Sequence, residues 1–79
     1  MEDIKQITKA LVQFNNDRDW EQFHNAKDLA LAINIEAGDL IELFLWKDAE
    51  EANQNKIKEE LADVLAYAFL MANKFGFDI

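Results

Sequence analysis

No proline interrupts this 79-residue chain, and glycine occurs only twice, as Gly38 and Gly76. With so little to break a helix, helix is the conformation that local chemistry leaves most open. From Met1 to Asn16, the residues Ile4, Ile7, Leu11 and Phe14 recur at three- and four-residue spacing. That spacing predicts one apolar stripe of an amphipathic helix. The stretch "NNDRDWEQFH" breaks the rhythm, because Asn15, Asn16 and Asp17 favour turns. Asn25 has the character of an N-cap, with Asp28 in the first turn of the helix it opens. This second helix is expected to run to about Trp46. "KDAEEANQNK" is polar and carries no stripe; Asp48 with Glu51 either caps a short turn or begins the last helix early. The last helix is expected from about Asn55 to Phe75, with Gly76 as the left-handed residue that ends it. No strand pattern of useful length, internal repeat or linker is visible. The chain reads as a single all-α domain, residues 1–79, a helical bundle of three main helices.

A chain this short buries only about 60–65% of the surface its unfolded form exposes, so a monomer is marginal. It has no cysteine for a disulfide and a lone histidine, His24, so neither staple nor structural zinc is available. Yet 51% of its residues are hydrophobic, six Phe and two Trp among them. So much apolar surface on so little chain predicts a homo-oligomer, a homodimer or a homotetramer, that completes the bundle. Eight basic against sixteen acidic residues, a net charge of −8, argue against a nucleic-acid polymer or an anionic membrane as partner. The start, "MEDIKQITKA", is charged throughout and does not read as a signal peptide. The longest near-apolar run, Leu61 to Ala72, is interrupted by Asp63 and too short to span a bilayer. A cytoplasmic location is expected.

Against that apolar background, two acid pairs stand out: Glu36 with Asp39, and Glu60 with Asp63. Helical residues three apart share a face, with Cβ atoms about 5–6 Å apart. Two carboxylates that close repel, and burial penalises their charged forms further. One reading places each pair on the solvated edge of its helix. The other packs the two helices antiparallel, so that four carboxylates converge on a hard divalent cation. Magnesium takes oxygen ligands and keeps waters that a phosphate can replace. Gly38, inside the first pair, costs a helix about 1 kcal/mol against alanine. It is explained if something approaches the backbone there. A di-iron bundle needs Glu-x-x-His pairs, which one histidine cannot supply. There is no glycine-rich phosphate loop and no cysteine nucleophile. Chemistry by acids and a metal is what remains.

At these residues the chain resembles the all-α NTP pyrophosphohydrolases, the MazG-like group that includes dCTP pyrophosphatases. The hallmark is Glu-x-x-Glu, a spacer, then Glu-x-x-Asp; here "EAGD" at 36–39 and "ELAD" at 60–63 are separated by 20 residues. The lead-in "RDWEQFH" and the following "LFLWK" are also similar to the family. The resemblance covers about Asp17 to Gly76. It implies magnesium-dependent hydrolysis of a (d)NTP to (d)NMP and pyrophosphate, with manganese as a substitute metal and nucleotide-pool cleaning as the role. Glu36, Asp39, Glu60 and Asp63 would hold metal, with Glu36 and Glu60 catalytic and Glu42 and Glu59 supporting them. Trp20, Phe23, His24, Lys27, Trp46 and Tyr67 would bind the nucleotide; stacking of a base on an aromatic face is worth about 1–3 kcal/mol.

The chain departs from the family pattern in three places. Asp39 stands where Glu is usual, Leu11 where cytosine-selective members often carry a histidine, and the further helix expected after "KFGFDI" is missing. These departures sustain a second reading, a non-catalytic oligomerisation or regulatory module derived from such enzymes.

Overall fold

The computed structural model describes residues 2–20, 25–46, 48 and 51–77. It contains three helices: α1 (Glu2–Asp17), α2 (Ala26–Glu42) and α3 (Gln54–Phe75). No strand occurs among the described residues, and none of their helices is long and apolar enough to cross a membrane. α3 is the central element, with α2 packed along it and α1 laid across its C-terminal half.

Local hydrogen bonding fixes the helix ends. The Asn25 side chain accepts the Asp28 amide at 2.8 Å, and its own amide group donates to the Asp28 carboxylate at 2.9 Å. At the start of α3, Asn53 accepts from the amides of Asn55 and Lys56 at 3.0 and 3.2 Å. Such a cap satisfies backbone donors that the helix itself leaves open. α3 ends at Gly76, whose φ of 72° is left-handed, and the amides of Gly76 and Phe77 donate back to Asn73 and Ala72. A side chain is costly in that conformation, which is why glycine stands there.

Three local expectations are refined. α2 closes at Glu42, four residues before Trp46: Leu43, Phe44 and Leu45 donate to carbonyls three residues back, tightening the last turn. The turn reading of "KDAEEANQNK" holds, since the Glu51 amide donates to the Asp48 carbonyl and α3 begins only after Asn53. On α1, Ile7 and Phe14 are exposed, while Ile4, Thr8, Leu11, Val12 and Asn15 are covered to varying degrees. The packed face is therefore rotated from the apolar stripe toward Thr8 and Asn15. Thr8 makes this rotation tolerable by donating its hydroxyl to the Ile4 carbonyl at 2.7 Å.

The buried core is thin. Leu29, at 2% exposure, is its centre, joined by Ala52, Ala72 and the polar Asn15. Asn15 terminates α1 by accepting the amides of Arg18 and Trp20 at its carbonyl, at 3.1 and 2.9 Å.

Candidate metal centre

α2 and α3 run antiparallel. Leu29 shares a cavity wall with Leu70, while Glu36, seven residues later, meets Glu60 and Asp63, earlier on α3. This register carries the acids across the hairpin to one another. Oxygen atoms of Glu36, Glu60 and Asp63 all lie within 4.8 Å of one another. Glu36 and Glu60 are half-buried and Asp63 is exposed, so the cluster sits at the mouth of the helix pair.

The electrostatics of this cluster are strained. The Glu36 carboxyl is pushed up from 4.5 to about 7. Its hydrogen bond to the Glu60 carboxyl is the largest cause, followed by burial and then the charges of Asp63, Glu60 and Asp39. A carboxyl that donates a hydrogen bond to its neighbour must keep its proton, so at neutral pH Glu36 resists full ionisation. Glu60 Oε2 is buried with no hydrogen-bond partner. A buried acceptor left unpaired costs about 1–3 kcal/mol, more when charged.

A hard dication answers both features. The donor set is oxygen only, and the orphaned Oε2 offers a lone pair that nothing among the described residues uses. Ligand oxygens about 2.1 Å from one magnesium ion are at most about 4.2 Å apart, so slight side-chain movement brings these three onto one ion. Asp39 is half-buried and close enough to raise the Glu36 pKa, but it is outside the set of three. Its side chain is one methylene shorter than the Glu that the family pattern has there. Glu42 and Glu59 are exposed.

The remaining candidates divide between the two ends of the hairpin. Lys27 is exposed in the first turn of α2, about 13–14 Å along the helix axis from Glu36. Tyr67 is half-buried on α3, one turn from Asp63 in the direction of Lys27. Trp46 lies past the opposite end of α2, fully exposed and with a φ of 63°. Trp20 packs edge-on against Phe14, ring centroids 5.6 Å apart, and the Arg18 guanidinium sits 3.5 Å over the Phe14 ring. That gives Trp20 a structural place at the end of α1, though it keeps a half-exposed face. Phe23 and His24 lie outside the described residues. Gly38 is exposed, and a Cβ there would meet nothing within 4 Å, so nothing among the described residues needs the bare backbone.

Sequence reasoning did not anticipate two hollows against α1. One, of about 480 Å³, lies between α1 and the end of α3, walled by Ile4, Val12, Phe69 and Phe77 among others. The other, about 310 Å³, is lined by Asn15, Asn16, Leu29 and Lys74 among others. Neither is lined by the acids; the acid cluster is an open edge between two helices.

A model of the MazG-like family matches residues 31–79, which include both acid pairs. The chain is 42% identical to dCTP pyrophosphatase 1 of Rattus norvegicus and 39% identical to that of Homo sapiens, over 87 aligned positions that cover all of this chain. It spans about half the length of these curated relatives, 49% in each case. A crystal structure of a pyrophosphatase from Archaeoglobus fulgidus superposes with a TM-score of 0.85 at 28% identity, covering 94% of this chain and 75% of that one.

Proposed function

Since the chain belongs to the MazG-like family, we propose that it is a nucleotide pyrophosphohydrolase, cleaving a (d)NTP to (d)NMP and pyrophosphate with magnesium. The carrying observation is the convergence of Glu36, Glu60 and Asp63 around a buried, unpaired Glu60 oxygen. Relatives named dCTP pyrophosphatase 1 support the substrate class and make dCTP the first nucleotide to try.

Glu36, Glu60 and Asp63 would hold the dication, with Asp39 beside them acting directly or through water. The bound metal would neutralise phosphate charge and acidify the attacking water, with manganese able to replace magnesium. Cleavage to the monophosphate places attack at the α-phosphorus, and positioning supplies most of the catalysis in phosphoryl transfer. One of the two half-buried carboxylates, Glu36 or Glu60, would take the water's proton and hold it away from the phosphates. Tyr67, Lys27 and Trp20 lie toward one end of the hairpin and Trp46 beyond the other, so the nucleotide's base and phosphates would run along the helix pair. The active protein is a homodimer or homotetramer in the cytoplasm, clearing nucleotide pools.

Product analysis tests this reading. The purified chain is incubated with magnesium and eight (d)NTPs, and products are resolved by chromatography. Monophosphate with pyrophosphate, abolished by EDTA and by Glu60→Gln, is the expected result. Diphosphate with phosphate, or turnover that survives Glu60→Gln, overturns it.

A further inference from the structure

Helices α1 and α3 end in the same way. At α3, Phe77 and Gly76 donate to the carbonyls of Ala72 and Asn73, and Gly76 is left-handed. At α1, Trp20 and Asp19 donate to the carbonyls of Asn15 and Asn16 at 2.9 and 3.2 Å, and Asp19 has a φ of 56°. Such crossed bonds around a left-handed residue turn the chain sharply and set the following side chain against the last turn of the helix. At α1 that side chain is Trp20. It meets Phe14, with ring centroids 5.6 Å apart and planes at 68°. Glycine fills the left-handed place at α3, whereas α1 uses an aspartate, one of the few side chains that tolerate it.

The residue before the left-handed one differs too. At α3 it is Phe75, which stacks on Phe77. At α1 it is Arg18, whose guanidinium carbon lies 3.5 Å from the centre of the Phe14 ring and 5.8 Å from that of Trp20. Its Nη1 also donates to the Phe14 carbonyl at 3.1 Å. One side chain thus grips Phe14 by its ring and by its backbone, and reaches the Trp20 ring as well. An aromatic face attracts a cation. A planar guanidinium can lie over that face while donating from its edge, whereas an ammonium offers a point charge.

Phe14 and Trp20 are each 46% exposed, so burial is a weak restraint on either ring and these local contacts decide how they stand. The same turn fixes where the rings stand. Asn15 and Asn16, inside it, share a hollow with Leu29 near the start of α2. Glu36 is seven residues further along α2, about 10–11 Å of helix rise. With phosphates held at the acids, the base of a nucleotide would extend toward this end of the hairpin.

We infer that Arg18 is a positioning residue: it clamps Phe14 and through it fixes the ring of Trp20 as a half-open platform for the nucleotide base. This rests on the reading of Trp20 as a nucleotide contact. The gain is pre-organisation, because a ring fixed beforehand loses no rotational freedom when a base stacks on it. Releasing one such side chain weakens binding by about two- to tenfold. The effect falls on binding and not on the step at the α-phosphorus, which lies at the other end of the substrate. A loss of that kind appears in KM and leaves kcat unchanged.

Two readouts test the clamp and its use separately. For the first, Trp46→Phe leaves Trp20 as the sole tryptophan, and its fluorescence anisotropy decay is recorded without nucleotide or metal. With Arg18 in place, the ring is expected to turn only with the whole protein. Arg18→Met and Arg18→Lys should each add a subnanosecond loss, since neither keeps a guanidinium over Phe14. Phe14→Leu should do the same, and combining it with Arg18→Met should add little, as expected of groups in contact. A fast Trp20 ring in the Arg18 protein overturns the inference, and so does a ring that stays fixed in Arg18→Met. If Phe14→Leu fails to fold, the substitutions of the exposed Arg18 still decide. For the second, dCTP and magnesium are used with chains that keep Trp46. Arg18→Met and Arg18→Lys should both raise KM about two- to tenfold and leave kcat unchanged. Unchanged KM in Arg18→Lys would make residue 18 a charge contact instead of a clamp and overturn the inference, as would a loss confined to kcat. Absence of hydrolysis by the parent counts against the function reading alone, and the anisotropy decay then decides the clamp by itself.

Discussion

Removing the charge of Glu36 should stabilise the metal-free protein, and do so only above mildly acidic pH. The folded chain raises this carboxyl from 4.5 to about 7. The native state therefore binds more protons than the unfolded state between those two values, and stability from this group falls as pH rises through the window. Its favourable part is fully present below about pH 4.5 and lost above about pH 7. Each pKa unit corresponds to about 1.36 kcal/mol, so the full shift would be worth about 3 kcal/mol. Glu36 is only half-buried, and solvent screening reduces this to about 1–2 kcal/mol. Glu36→Gln keeps the shape and removes the charge. In EDTA at pH 8 it should raise the melting temperature by roughly 4–16 °C, given about 4–8 °C per kcal/mol in a domain of this size. At pH 4.5 the two proteins should melt together. Magnesium should then reverse the order, because a ligand at one hundred times its dissociation constant adds about 2.7 kcal/mol to the protein that binds it. Circular dichroism melts at one fixed protein concentration, across pH 4.5–8 with EDTA or magnesium, supply the comparison. A Glu36→Gln protein less stable than the parent at pH 8 without metal would refute the argument. A difference independent of pH would refute it equally.

Other substitutions probe separate links. Asp39→Glu adds the methylene that this side chain lacks; it should tighten magnesium binding several-fold by calorimetry, and unchanged affinity would place residue 39 outside the ligand set. Gly38→Ala should stabilise the chain by about 0.5–1 kcal/mol in urea unfolding, since a Cβ there meets nothing within 4 Å. Gly76→Ala, at a φ of 72°, should destabilise it by about 1 kcal/mol in the same assay; the two alanines shifting stability in the same direction would contradict the backbone reading. Asn53→Ala removes the acceptor for two amides and should cost about 1 kcal/mol, with faster hydrogen exchange at Asn55 and Lys56.

The helices and most of their ends were legible from the residues alone. Asn25 and Gly76 act through hydrogen bonds and φ angles that span three or four residues, and such effects are written locally; the Asn53 cap of α3 came only from the structure. The acid pairs were likewise visible, because three-residue spacing on a helix fixes a shared face. Spacing along α1 misjudged which face packs: Ile7 and Phe14 are the more apolar, yet α3 receives Thr8 and Asn15. The end of α2 at Glu42 was hidden too, since nothing in "LFLW" breaks a helix by itself.

Tertiary structure decided which carboxylates meet. Spacing gave Asp39 the same standing as Asp63, but the hairpin register brings an Asp63 oxygen within 4.8 Å of Glu36 and Glu60 and leaves Asp39 outside that set. Sequence sets each residue's rotation about its own helix; only the docking of two helices turns those rotations into one shared acidic edge.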